Sequence, residues 1–249
     1  MEVKLTIDRG NTALKAALWG PDGKIVTAAK GDESLPAGVL ARQLLTQTGE
    51  PRSVITDAVY CSVVSSDRAD DLDSLDDMCE HLIDLSAHTP MPLSIRYKSP
   101  DTLGADRIAA ALGALAVAGG DRPLLVSDIG TAVTYDFIKP HNVYCGGNIA
   151  PGVHLRLRAL AAFTDALPAV ECDGPIPQWG EDTASAMRSG AVRGVAAELE
   201  YYFRAAGPGA LAVLTGGSAK LLIDYNILTF DYIYDPYLVH KGLYSIIQK

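Results

Sequence analysis

The feature that most constrains this chain is one sentence written twice. Leu5-Thr6-Ile7-Asp8-Arg9-Gly10-Asn11-Thr12-Ala13-Leu14-Lys15 reads as an apolar strand, an Asp-x-Gly turn, a threonine and a second strand. Leu124 to Ile138 repeats it as strand, Asp128-Ile129-Gly130-Thr131, strand. Each copy runs on through a turn, Gly20-Pro21-Asp22-Gly23 or Lys139-Pro140-His141-Asn142, into a third short apolar stretch, Lys24-Ile25-Val26 or Val143-Tyr144-Cys145. Either Asp-x-Gly alone is an ordinary hairpin. Two in matching context, nearly half the chain apart, predict two similar α/β halves that present two acidic turns to one cleft.

An acid beside short hydroxyls and turn N–H groups suits phosphate carried with a cation: the donors hold phosphate oxygens and the carboxylate holds Mg²⁺ through water. Gly10 supplies the tight turn that a Cβ would resist.

The spacing of the rest completes each half. Ser34 to Thr48 carries apolar residues at helical intervals, stopped by Gly49-Glu50-Pro51. Val54 to Val64 reads as a buried strand, with Ser65-Ser66-Asp67 as loop and cap. Residues 68–82 read as an acidic helix with Leu72, Leu75, Met78, Cys79 and Leu82 as its stripe and its aspartates as a solvated face. Leu93 to Tyr97 reads as a short strand. An almost purely aliphatic helix to Ala118 follows, apolar all round and therefore expected between the halves. Asp106 sits in its first turn, where the helix dipole favours an acid, beside Arg107, a fork of donors suited to a carboxylate. These two also suit a helix cap and a structural ion pair, and the stretch itself does not choose.

Gly119 to Pro123 reads as the joint. In the second half, His154 to Phe163 is helical, 164–180 is an extended loop rich in Pro and Gly, and Glu181 to Ala206 is a long helix. Thr183, in the first turn of that helix, suits either capping or ligand binding. The strand Ala210 to Leu214 ends in Thr215-Gly216-Gly217-Ser218, where a ligand can approach the backbone. The expected domains are 1–118 and 119–249.

Composition removes several classes. A net charge of −9 disfavours a nucleic-acid binder but leaves room for a basic pocket. Four dispersed cysteines give neither a disulfide framework nor a zinc pattern and read as cytoplasmic thiols. The N-terminus enters a strand directly, so no signal peptide is expected, and no run is long enough to span a membrane. P-loop, dinucleotide, protein-kinase and nucleophile-elbow motifs are all missing. The remaining set suits phosphoryl transfer, where positioning and charge neutralisation supply most of the catalysis.

Seven motifs stand in order: Asp8-x-Gly-Asn-Thr-x-x-Lys15, Leu103-Gly-x-Asp-Arg107, Asp128-x-Gly-Thr-Ala-x-Thr134, Gly146-Gly-x-Ile-x-Pro-Gly152, Asp182-Thr183-x-x-Ala186-x-x-x-Gly190, Thr215-Gly-Gly217 and Leu238-x-x-Lys-Gly-Leu243. Together the chain resembles the type III pantothenate kinases of the acetate/sugar kinase, Hsp70 and actin superfamily, from residue 5 to about 244. The resemblance implies an α/β fold of two duplicated ribonuclease-H-like domains, a homodimer with composite sites, ATP, Mg²⁺ and a monovalent cation (K⁺ or NH₄⁺), and phosphorylation of pantothenate on its terminal hydroxyl as the first step of coenzyme A synthesis.

It also implies roles. Asp8 holds Mg²⁺ near the ATP phosphates, with Arg9, Gly10, Asn11, Thr12 and Lys15 around them. Asp106 is the general base. Tyr97, Gly104, Ala105, Arg107 and Thr183 line the pantothenate pocket, Arg107 meeting the carboxylate. Asp128 helps hold the monovalent cation, and Thr131, Gly216 and Gly217 approach ATP. An adjacent Asp and Arg serve opposite ends of pantothenate only if the ligand folds back or their side chains diverge. Arg9 replaces an apolar residue common in the family and is expected to touch phosphate or point to solvent; Asp182 stands where Asn is frequent. The alternative is a non-catalytic, nucleotide-binding relative that acts as a transcriptional accessory factor.

Overall fold

The computed structural model describes residues 2–49, 54–64 and 66–248; Glu50, Pro51 and Ser65, named above as breaker and loop, lie outside them. The chain forms two compact units, residues 1–119 with the stretch from Tyr237 onward, and Gly120–Pro236.

In the first unit, β1 (Glu2–Arg9), β2 (Leu14–Trp19) and β3 (Ile25–Gly31) form an antiparallel meander. Then come α1 (Ala37–Gln47), β4 (Val54–Ser62), α2 (Arg68–Asp76) and β5 (Cys79–Asp84). The sheet order is β3-β2-β1-β4-β5, with β4 parallel to β1 and β5 parallel to β4. The pleat of β1 sorts its side chains. Val3, Leu5 and Ile7 enter a core with Ala37, Leu40 and Leu44 of α1 and Leu75 of α2. The alternate residues Thr6 and Asp8 take the other face.

The acidic helix is shorter than expected. It stops at Asp76, and residues 79–84 are the fifth strand rather than a continued helix. Cys79 and Leu82 fit a helical stripe, but pairing of Ile55 with Cys79 and Ala58 with Leu82 claims them for the sheet. Helical periodicity over so few residues does not outweigh a ladder along a buried strand. The strand expected over Leu93 to Tyr97 shrinks to β6 (Ser94–Ile95). A 3-10 turn at Pro100–Thr102 leads into α3 (Ala105–Ala118).

In the second unit, β7 (Leu124–Asp128), β8 (Ala132–Lys139) and β9 (Val143–Pro151) form the second antiparallel meander. It is followed by α4 (Val153–Phe163), a stretch without helix or strand, α5 (Thr183–Ala206), β10 (Leu211–Thr215), α6 (Ala219–Asp224) and β11 (Tyr232–Tyr234). The order β9-β8-β7-β10-β11, with β10 parallel to β7 and β11 parallel to β10, repeats the first sheet strand for strand.

The last helix, α7 (Leu238–Ile247), corrects the expected boundary. Counting along the repeat, it belongs to the second half, as the sequence reading had it. It packs instead with the first unit, on α3 and β1. The contact needs glycine on both helices: a Cβ on Gly242 would land on the carbonyl oxygen of Ala109, and one on Gly113 on that of Leu238. Trp19 stacks on Tyr244 with ring centroids 4.3 Å apart, and Leu238, Leu243 and Ile247 are buried.

Candidate active site

Asp8 is the last residue but one of β1 and is 5% exposed. Antiparallel register sets Lys15 opposite it, and the Lys15 Nζ–Asp8 Oδ2 distance is 3.1 Å. Parallel register sets Cys61 beside it, and that thiol lies 3.7 Å from Asp8 Oδ1. Burial, then the carboxylates of Asp8 and Asp106, push the Cys61 thiol up. The charges of two acids from distant segments, near the end of β1 and at the start of α3, thus act on one buried sulfur. The turn closes by Gly10 N–H donating to Ala13 O at 3.0 Å, which leaves the Asn11 and Thr12 side chains exposed at its tip.

Asp106 is half-buried, and its Oδ1 accepts the Arg107 N–H at 2.8 Å. Gly104 precedes the helix where a Cβ would strike that carboxylate, so glycine there lets the acid fold back over the helix start. Arg107 is 6% exposed, its guanidinium 5.9 Å from the Tyr97 ring centroid. The Asp106 charge acts on Cys61 while the Arg107 guanidinium lies by Tyr97, so the adjacent pair has different surroundings. Ala105 is buried.

His240, from α7, reaches the same face of β1. Its Nδ1 lies 3.0 Å from the Thr6 hydroxyl, which also accepts Trp19 Nε1–H at 2.9 Å. Burial pushes His240 down to about 4, against the pull of Asp8 and aided by Lys15. The sequence reading found no role for this histidine. The signal was its place within the last motif, Leu238-x-x-Lys-Gly-Leu243.

In the second unit the repeated turn is one residue tighter. Gly130 N–H donates to Ala132 O at 2.9 Å, and Thr134, not a lysine, stands where Lys15 stands in the first copy. Asp128 is half-buried, its backbone N–H 3.4 Å from the Thr134 hydroxyl. Gly216 has φ +94°, and a Cβ there would meet Asp128 Oδ1 and the Ile129 main chain. Gly152 is pressed equally closely against the carbonyls of Gly130 and Thr131. The Asp128 turn, Thr131, Gly216 and Gly217 are therefore one cluster held by glycine-only approaches. Thr131 and Gly217 are exposed.

Thr183 opens α5 and is exposed, and it is not the cap. Asp182 accepts Ser185 N–H at 2.7 Å while Ser185 Oγ accepts the Asp182 N–H at 3.1 Å, a reciprocal capping box.

Arg9 is the residue the sequence placed wrongly. It neither reaches the turn nor points to solvent. Its side chain is 2% exposed on the face of the sheet opposite Asp8, and its guanidinium is taken up by Asp71 and by the carbonyls of Glu33 and Leu35. The pleat is the reason: successive residues of a strand point to opposite faces, so Asp8 and Arg9 cannot both address one ligand through their side chains. Asp71 is buried as well, against the reading of its helix's acids as a solvated face.

Among the described residues no group of three or more His, Cys, Asp or Glu side chains is placed to hold a metal ion. Asp8 offers one carboxylate. That fits Mg²⁺ arriving with phosphates and keeping most of its waters, rather than a resident ion in a protein cage.

Comparison with known proteins shows the family of the chain. A family model described as type III pantothenate kinase matches residues 4–205. A type III pantothenate kinase of Phocaeicola vulgatus is 36% identical over 98% of both chains. That of Porphyromonas gingivalis strain ATCC 33277 is 33% identical over 100% of this chain and 99% of its own. Among solved structures, a Baf family protein of Campylobacter jejuni, named for transcriptional activation, superposes with TM-score 0.63 at 20% identity over 98% of this chain and 96% of its own. The activator of 2-hydroxyisocaproyl-CoA dehydratase from Clostridium difficile, with bound ADPNP, gives 0.57 at 14% identity over 98% and 94%. These two likenesses show the fold alone.

Proposed function

The chain belongs to the type III pantothenate kinase family, and we propose that its first unit carries the chemistry of that reaction, the ATP-dependent phosphorylation of pantothenate that opens coenzyme A synthesis. The observation that carries this reading is the Asp8–Lys15 pair at 3.1 Å near the end of β1, with Asp106 and Arg107 opening α3, a helix packed on β4, whose Cys61 lies 3.7 Å from Asp8.

In this reading Asp106 accepts the proton of the pantothenate hydroxyl as that oxygen attacks the γ-phosphorus. Its position at the start of α3, with Oδ1 oriented by the Arg107 backbone N–H, suits that role. Arg107, backed by Tyr97, takes the pantothenate carboxylate, with Gly104 and Ala105 beside it; Thr183, exposed at the start of α5, is a further residue for pantothenate. Gly10, Asn11, Thr12 and Lys15 hold phosphate oxygens; Thr131, Gly216 and Gly217 approach the nucleotide. Mg²⁺ held by Asp8 would neutralise charge on the transferring phosphoryl group. Asp128, a half-buried carboxylate beside the Gly216 turn, would hold the alkali or ammonium ion.

The protein works in this reading as a cytoplasmic homodimer and without nucleic acid. The acidic balance supports the last point. Phe163 and Trp179, 88% and 81% exposed, offer apolar surface for a partner copy. Among the described residues no helix is long and apolar enough to cross a membrane.

The test is phosphorylation of pantothenate by the purified protein with ATP and Mg²⁺, with and without K⁺ or NH₄⁺. Product that depends on the monovalent ion supports both the reaction and the role of Asp128. ATP binding without product under any ion would point to the non-catalytic relative or to another acceptor.

A further inference from the structure

We infer that Arg9 and Asp71 are a positioning pair for Asp8, acting from the opposite face of the sheet without touching substrate. This rests on the assignment of Asp8 to the phosphate-bound metal.

The observations concern what meets at Asp71. Its Oδ2 accepts Arg9 Nε and the Tyr60 hydroxyl, the latter at 2.8 Å. Its Oδ1 accepts Arg9 Nη2 and the Ala37 N–H, each at 2.8 Å. Arg9 also donates from Nη1 to the carbonyl of Glu33, at 2.7 Å, and from Nη2 to that of Leu35, at 2.8 Å, and its Nη1 lies 3.9 Å from Asp67 Oδ2. One buried bidentate pair therefore ties together the end of β1, the 33–35 loop, the start of α1, β4 and α2. Burial opposes the Arg9 charge, and Asp71 with Tyr60 together more than offset it.

Two points turn this from a fold contact into a positioning device. The first is cost: a buried ion pair rarely stabilises more than well-packed apolar side chains of the same volume, so packing alone gives no reason for an arginine here. What the pair adds is direction, since a planar fork accepts a carboxylate in one geometry. The second is place. Arg9 is bonded along the chain to Asp8 and is the last residue of β1 before Gly10. Restraining its guanidinium on one face fixes the backbone that aims Asp8 into the other. Tyr60 repeats the arrangement on β4: its hydroxyl joins Asp71, while its neighbour Cys61 lies against Asp8.

The experiment compares Arg9→Met/Asp71→Leu, which swaps the pair for apolar groups of similar volume, with the single variant Asp71→Asn, which keeps the shape and removes the charge. Thermal unfolding and steady-state kinetics with ATP and pantothenate are read for each. The expected result is a double variant that unfolds within a few degrees of wild type yet has kcat lowered about tenfold or more, because small misplacement of a catalytic group is costly. KM for pantothenate stays unchanged. Asp71→Asn, folded, should show the same split to a smaller degree. A double variant with wild-type unfolding and kcat within twofold of wild type would reduce the pair to a structural contact. If the double variant does not fold, Asp71→Asn decides alone: kcat within twofold overturns the inference. Wild-type protein assayed beside them separates the premises, since an inactive wild type sinks the reaction and an active one with equally active variants sinks only the positioning.

Discussion

At the scale of single residues, the site is a set of charges sorted by backbone geometry. Asp106 is held by its neighbour's N–H and its charge acts on Cys61 together with that of Asp8, whereas Arg107 lies by Tyr97. The two should therefore separate kinetically. Asp106→Asn is expected to lower kcat by about 10²–10⁴ while ATP still binds, the usual contribution of a general base. Arg107→Ala should act mainly on KM for pantothenate. Turnover and nucleotide binding measured on both variants check this, and near-normal turnover of the asparagine variant would remove Asp106 from the role. His240 gives a second residue-scale expectation. Its pKa is depressed from about 6.5 to about 4, so between these values the unfolded chain binds the proton and the folded protein does not. Stability from this group is present above pH 6.5 and is lost as pH falls toward 4, at up to about 1.4 kcal/mol per pH unit. Urea unfolding of wild type and His240→Gln across pH 4–7 should show a shallower acid loss in the variant.

At the scale of elements, what places Asp106 is the crossing of α3 on α7. Both helices give up a side chain at the contact, Gly113 on one and Gly242 on the other, and their backbones meet directly. Gly242→Ala has no relaxed position, because the obstacle is a main-chain carbonyl. A loss of about 3 kcal/mol is expected, at the upper end of ordinary overpacking, seen as a melting temperature lowered by roughly 6–12 °C. A neutral outcome in a thermal scan would mean that α7 shifts freely on α3. The elements also show where pattern reading stops. The three-strand meanders were plain because turn formers and apolar runs alternate twice in the same order. The acidic helix was overextended because Cys79 and Leu82 satisfy helical spacing and strand spacing alike, and only the neighbouring β4 decides between them.

At the scale of the whole molecule, the repeat is in the sheets and not in the partition of the chain. Strand order and direction match between units, but the final helix completes the first unit, carrying buried Leu238, Leu243 and Ile247 to it. A chain ending at Pro236 would leave the apolar surface of α3 uncovered and Trp19 without Tyr244. Such a truncation is expected to lose cooperative unfolding of the first unit and become protease-sensitive within 1–119. Limited proteolysis with mass spectrometry checks this, and an intact, cooperatively melting first unit would contradict it.

By itself the sequence determined the family, the duplicated meanders, the two Asp-x-Gly turns and the acid–arginine pair at the start of α3. All of these are local: a few neighbours along the chain set the turn, the strand and the helix start. What tertiary structure alone decided is side and partner. Arg9 looks like part of the phosphate turn until the pleat sends it to the opposite face, where Asp71 waits 62 residues away. Asp71 looks like one more solvated acid until α2 packs down on β4. Cys61 gains meaning only when strand register sets it beside Asp8, and His240 only when α7 packs on β1 and brings it to Thr6. A strand's period says that two neighbours part company, but which face holds the ligand and which holds the core depends on helices far away in the chain. Burial then changes the chemistry of the same side chains, by stripping water from charges that must find partners or change protonation.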